Sequence, residues 1–261
     1  MRKIFVAIVM IVISCAAPAF SHELILKPAK FSAPKGSELS IELQSTHIFI
    51  VKEEVEDIST IRAGIFQGGK LVESALAPNE PDLRIDFSVK IPDDKSASII
   101  LANKTGEVWS VTPDGSKPGT RKSFEDQGIK VTRASRTDKF AKAIVNTSAA
   151  DKNFAAVVGQ ELEIVPVTNP ANAKIGEFFK VKVLFKGQPA SFPVFATYDG
   201  FVKEYQNTYA YYTESDADGV ANIKITAPGL WIIRTSKDGE PGVAGEFDTR
   251  AIRSILTIPV K

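Results

Sequence analysis

The chain has 261 residues and only two histidines, His22 and His47. Their settings offer chemistry beyond that of ordinary imidazoles. His22 follows Ala19-Phe20-Ser21, where small side chains at Ala19 and Ser21 suit signal peptidase. A cut after Ser21 makes His22 the first residue, so that its α-amine and imidazole can chelate one ion together. The ordinary pKa values of these groups, about 7.7–8.0 and about 6.5, let both lose protons near neutral pH at small cost. The His47 imidazole would complete a three-nitrogen set suited to Ni, Co, Cu or Zn. Glu23, beside His22, and Glu53, in the acidic run Glu53-Glu54-Val55-Glu56-Asp57, are candidate outer partners, and the second reading of that run is that one of its carboxylates is a further ligand or outer partner. The plainer alternative is two unremarked strand histidines and a solvated acidic loop, because a separation of 25 positions is no motif by itself.

Residues 1–21 read as a signal peptide. Arg2 and Lys3 form its positive start, and Ile4 to Ile13 are continuously apolar. That run is too short for a bilayer span, which needs about 20 residues, and no other stretch is apolar enough. Val12-Ile13-Ser14-Cys15 approximates a lipobox, so lipidation at Cys15 is the alternative processing, and it would remove the His22 amine. Cys15 is the sole cysteine, which leaves the remainder without disulfides. Loss of Arg2 and Lys3 takes the net charge from +1 to −1, which favours neither nucleic acid nor an anionic membrane.

The elements that must position the histidines alternate as strands. Residues 23–28 form a short strand closed by Pro28. Residues 37–47 put Leu39, Ile41 and Leu43 on one face, with His47 at the far end. If these two strands are antiparallel neighbours, His47 returns to the level of His22. Further strands are expected at 60–66, 83–91, 98–102 and 137–146, with a polar, turn-rich stretch at 111–119 and a short helical turn or irregular segment at 153–158. From residue 161 the pattern is cleaner: 162–166, 178–185, 192–198, 208–213, 220–226, 230–235 and 252–260. On 178–185, Phe179, Val181, Val183 and Phe185 should face inward, and Trp231 should lie in the core. Asp216-Ala217-Asp218-Gly219, Ala227-Pro228-Gly229 and Lys237-Asp238-Gly239 read as turns. No amphipathic helix is expected. The fold class is all-β, with two β-sandwich domains of Ig-like or transthyretin-like type at 22–158 and 159–261 after the signal peptide.

Catalytic signatures are missing. No two histidines lie four apart, and there is no phosphate-binding glycine loop, nucleophile elbow or cysteine metal motif. The tyrosines 198, 205, 209, 211 and 212 fit strand packing better than a ligand platform. Asp216 and Asp218 lack the later glutamate of a calcium loop. The chain reads as a binding protein, not an enzyme.

Several pieces in order, Phe140-Ala-Lys-Ala143, Gly159-Gln-Glu-Leu-Glu-Ile-Val-Pro166, Val183-Leu-Phe-Lys-Gly-Gln-Pro189, Asp216-Ala-Asp-Gly219, Pro228-Gly-Leu-Trp-Ile232 and Ser254-Ile-Leu-Thr-Ile258, resemble a periplasmic NikM-like family associated with nickel and cobalt uptake. At the other end, the His-Glu after the signal and a second histidine closing the next strand match as well. Family members set that second histidine in Gly-His-Pro-Phe, whereas here it is Thr46-His47-Ile48-Phe49. The resemblance implies a periplasmic protein that binds Ni or Co, with Cu as a third option, and serves a membrane transporter. A histidine-brace copper protein and a metal-free binding or scaffold module are the alternatives.

Overall fold

The computed structural model describes residues 22–49, 51–93, 95–204 and 208–261. The signal peptide, Cys15, the cut after Ser21 and Tyr205 lie outside the described residues. In chain order the strands are β1 (Glu23–Pro28), β2 (Glu38–Thr46), β3 (Ile61–Gln67), β4 (Lys70–Glu73), β5 (Ala77–Asn79) and β6 (Arg84–Lys90). Next come β7 (Ser98–Lys104), β8 (Val108–Thr112), β9 (Gly115–Pro118), β10 (Arg133–Val145), β11 (Leu162–Pro166) and β12 (Phe178–Phe185). The last are β13 (Gln188–Pro189), β14 (Pro193–Tyr198), β15 (Tyr211–Glu214), β16 (Val220–Lys224), β17 (Gly229–Val243) and β18 (Phe247–Val260). One five-residue helix, α1 (Arg121–Glu125), is capped by the Thr120 hydroxyl. The fold is all-β, as the alternation and turn residues require.

A ten-stranded sheet is the centre of the molecule, with β15-β14-β17-β18-β10-β7-β3-β4 in line and the β8–β9 hairpin attached to β10. A four-stranded sheet, β1-β2-β6-β5, packs on one of its faces, and a second, β11-β12-β13 with β16, packs on the other. The residues of β7 and β10 divide strictly by pleat between two cores. Ile100, Ala102, Ala141, Ala143 and Val145 meet the first small sheet, while Ile99, Leu101 and Ile144 meet the second. Strands covered on both sides read as apolar runs with weak alternation, which is the composition of 98–102 and, apart from the ion-paired Lys142, of 140–145.

Described strand pairs within residues 22–158 and within 159–261 are antiparallel, and a parallel pair, β10–β18, joins them. The division at 158/159 falls in the connection between β10 and β11. That connection is tied down by a buried ion pair: Lys142 Nζ of β10 donates to Glu163 Oε1 of β11 at 2.6 Å. The same carboxylate accepts from the backbone N–H groups of Val158 and Gly159.

On β12, Phe179, Val181 and Val183 are buried, Phe185 is partly so, and Lys180 is exposed, which is the expected register. Trp231 is fully buried, and its indole N–H donates to the Ala227 carbonyl at 2.9 Å. One expectation changes and two gain detail. The polar, turn-rich stretch 111–119 holds the turn of the β8–β9 hairpin together with the end of β8 and all of β9. Lys237-Asp238-Gly239 is no turn: it lies inside β17, at a register shift between Lys237 and Glu240 where Gly239 takes φ 77°. A glycine in that conformation accommodates an extra residue in one strand, so the hairpin runs on to Gly245. Asp216–Gly219 does turn the chain, but it carries β15 of the central sheet into β16 of a small sheet. There the Asp216 carboxylate accepts from the Asp218 and Val220 N–H groups.

Candidate metal centre

Strands β1 and β2 are antiparallel neighbours with Glu23 opposite Thr46 and Pro28 opposite Ile41. This register puts the next residue outward on each strand, His22 and His47, at the same level. Their ring centroids lie 3.9 Å apart, tilted by 47°. The alternation of 37–47 and the proline stop at Pro28 are thus what bring together imidazoles far apart in sequence.

The third member comes from the acidic run. The chain turns back after His47, with Val51 N–H donating to the Ile48 carbonyl and Glu53 N–H to the Ser45 carbonyl at 3.1 Å. Glu53 then faces both histidines: Oε2 is 3.0 Å from His22 Nε2 and 2.7 Å from His47 Nδ1, and Oε1 accepts from the His47 backbone N–H at 2.9 Å. One ligand atom each from His22, His47 and Glu53 lie within 4.8 Å of one another. Glu54 approaches from the other side, with Oε1 at 2.7 Å from His22 Nδ1. All four side chains keep some solvent contact.

The electrostatics follow from these contacts. Burial works against the His22 imidazolium, but the Glu54 hydrogen bond and the Glu54 and Glu53 charges outweigh it, so its pKa lies above the ordinary 6.5. A ring that faces carboxylates with both nitrogens is held protonated because each nitrogen can then donate. Burial pushes Glu53 up, and the hydrogen bonds from the His47 ring and backbone N–H outweigh it and hold it below the usual carboxylate range. The His22 hydrogen bond holds Glu54 low against its partial burial.

Below the cluster, Ser45 Oγ donates to Glu54 Oε1 at 3.2 Å and to Glu56 Oε1 at 2.9 Å. Glu56 is pinned between Lys139 Nζ at 2.7 Å and Lys104 Nζ at 3.1 Å, with all three side chains nearly buried. Burial would raise the Glu56 pKa, yet the two ammonium groups and Ser45 bring it down to about 2. The acidic run is therefore not a solvated loop, since Glu53, Glu54 and Glu56 are all tied into the fold. Sequence reasoning named Glu54 only as part of the acidic run and missed Ser45, Lys104 and Lys139. Lys139, beside Phe140-Ala141 in a strand that is otherwise largely apolar, was the available signal, because a lysine taken into a core needs an acidic partner.

Glu23 is a correction. Its carboxylate turns to the central sheet, where Oε1 accepts from Arg234 Nε at 2.5 Å and from Arg253 Nη1 at 3.4 Å. It anchors β1 to β17 and β18 and is spent on that ion pair, not on the imidazoles.

The expected amine chelate would use a different atom of the His22 ring. An α-amine and its own imidazole close a ring through Nδ1, and His22 Nδ1 here faces Glu54. Two imidazoles and a carboxylate supply three donors without the amine. Such a set fits first-row divalent ions and leaves further coordination positions open.

Comparison with known families decides the relationship. The family described as "Domain of unknown function (DUF4198)" matches residues 19–239, most of the chain. The chain belongs to the DUF4198 family. No curated protein matches it. Among solved structures, the chain is similar to the "D0-D1 domain of Intimin" at 12% identity and TM-score 0.22, covering 89% of this chain and 96% of that one. It is also similar to the Yersinia pseudotuberculosis adhesin InvE at 11% identity and TM-score 0.22, covering 89% of this chain and 58% of that one. As a DUF4198 protein it carries His22, His47 and Glu53 inside the matched span. Among the described residues, no helix is long and apolar enough to cross a membrane.

Proposed function

We propose that this protein is an exported carrier that binds one divalent transition-metal ion through His22, His47 and Glu53 and serves nickel or cobalt uptake at a membrane transporter. The observation that carries the reading is the convergence of both histidines with Glu53, their ligand atoms within 4.8 Å. The resemblance of the later strands to the NikM-like family supports Ni or Co as the cargo. Intrinsic affinity for such donors favours Cu, so the metal is set by supply and partner as much as by the site.

The chemistry of loading is an exchange of cation for proton. His22 must give up the proton that Glu53 and Glu54 stabilise, and the incoming ion takes over its role beside the same carboxylates. Glu54 then orients the ring. The partly exposed position leaves one side open for hand-over.

Calorimetric titration of the chain beginning at His22 tests this with Ni²⁺, Co²⁺ and Cu²⁺. One ion per chain is expected, with affinity strongly reduced in His47→Ala and Glu53→Gln. Unchanged affinity in both variants would end the proposal. A form with one added residue before His22 separates the donor sets: retained affinity assigns the third ligand to Glu53, and a comparable loss assigns it to the amine.

A further inference from the structure

Past the edge strand β1, the face of the central sheet that β1 covers continues uncovered across β14, β17, β18 and β10. Ile232 and Ile255 pack under Ile25 of β1. Two residues further along their strands, on the same pleat, stand Arg234 and Arg253. Beyond them lies a groove of about 600 Å³, a size within the usual range for small-molecule sites of roughly 300–1,000 Å³.

The charges on its floor do not balance. Arg234 and Arg253 both direct a nitrogen to one oxygen, Glu23 Oε1, so two guanidinium charges share one carboxylate. Their side chains are only 10% and 12% exposed. Arg253 Nε is buried and has no hydrogen-bond partner among the described residues, and the same holds for Glu23 Oε2, which the two guanidinium groups leave unused. A cation so far out of water needs a counter-charge to offset its desolvation. At the rim, exposed Arg133 adds positive charge and exposed Asp238 opposes it. The wall is aromatic: Phe195 and Tyr209 pack at 5.1 Å between centroids, with the Arg234 guanidinium 5.5 Å and 6.0 Å from their rings. Burial first, and then the Glu23 charge, push the Tyr209 hydroxyl well up, so it stays a neutral donor.

We propose that this groove binds a small organic carboxylate, whose charged end meets Arg253 and Arg234 and whose apolar body lies along Phe195 and Tyr209. Guanidinium forks match a carboxylate with two parallel hydrogen bonds, and the aromatic wall selects an organic body over a bare anion. This inference does not rest on the metal reading, because neither histidine lines the groove.

The test is calorimetric titration of the purified, metal-free protein with 4-phenylbutyrate and, separately, inorganic phosphate. Phenylbutyrate should bind one per chain, and phosphate about tenfold more weakly or not at all. Arg253→Met should reduce phenylbutyrate affinity by about tenfold or more, and Arg253→Lys by about threefold to tenfold, because an ammonium keeps the charge without the fork. If Arg253→Met fails to fold by thermal melting, Arg253→Lys decides. Absence of saturable phenylbutyrate binding, unchanged affinity in the Arg253 variants, or phosphate binding as tightly as phenylbutyrate would each overturn the proposal.

Discussion

Replacing Glu56 by glutamine probes the support under the candidate centre. In the folded chain Glu56 titrates near 2, against an ordinary 4.5. At 1.36 kcal/mol per unit, that difference stabilises the folded state by about 3 kcal/mol. Because the folded value is the lower one, the contribution is fully present above about pH 4.5 and is lost as pH falls toward about 2. Glu56→Gln removes it and also leaves Lys104 and Lys139, both nearly buried, facing each other without a counter-charge. Breaking such a buried pair costs about 3–5 kcal/mol. The expected loss at pH 7 is therefore about 3–5 kcal/mol, measured by urea unfolding. The gap between the native chain and the variant should narrow as pH is lowered from about 4.5 to about 2, where native Glu56 takes up its own proton. A loss under about 1 kcal/mol at pH 7, or a gap that does not change over that range, would refute the reasoning.

Other consequences are equally open to measurement. Trp231→Ala should cost about 3–5 kcal/mol by denaturant unfolding, since the indole is fully buried and its N–H is paired; a loss under about 1 kcal/mol would contradict that burial. Gly219→Ala should lower stability by more than about 1 kcal/mol, because φ is 78° and a Cβ would stand 2.5 Å from the Val183 carbonyl oxygen. Glu54→Gln should weaken metal binding by about tenfold to a hundredfold through loss of the His22 orientation, with thermal stability nearly unchanged. Metal affinity should fall as pH drops through the His22 range, starting above 6.5 because that ring is held protonated, and a flat titration between pH 8 and pH 6 would argue against histidine ligands.

Sequence patterns carried the local structure well and the long-range structure poorly. Alternation located β2 and β12, Pro28 marked the end of β1, and the expected antiparallel pairing of β1 with β2 is the one the fold adopts. That pairing brought His22 to His47. The parallel β10–β18 pair was not legible, since strands buried on both faces carry no polar stripe to say which neighbour they take. Glu53 was singled out as an outer partner, and a ligand from its run stayed the second reading, because a run of acids has solvated loops as its commonest explanation. What drew it inward was the Ser45–Glu54 bridge and the Glu56 pair with Lys104 and Lys139, contacts spanning up to 83 positions that no local pattern encodes. Glu23 went the other way, because its partners Arg234 and Arg253 lie at the far end of the chain.

The most direct measurement is anomalous diffraction from crystals grown with Co²⁺. The proposed site predicts one strong peak about 2.0–2.2 Å from an imidazole nitrogen of His22, an imidazole nitrogen of His47 and a carboxylate oxygen of Glu53. A peak placed elsewhere, or no peak with Co²⁺ at saturating concentration, would contradict it.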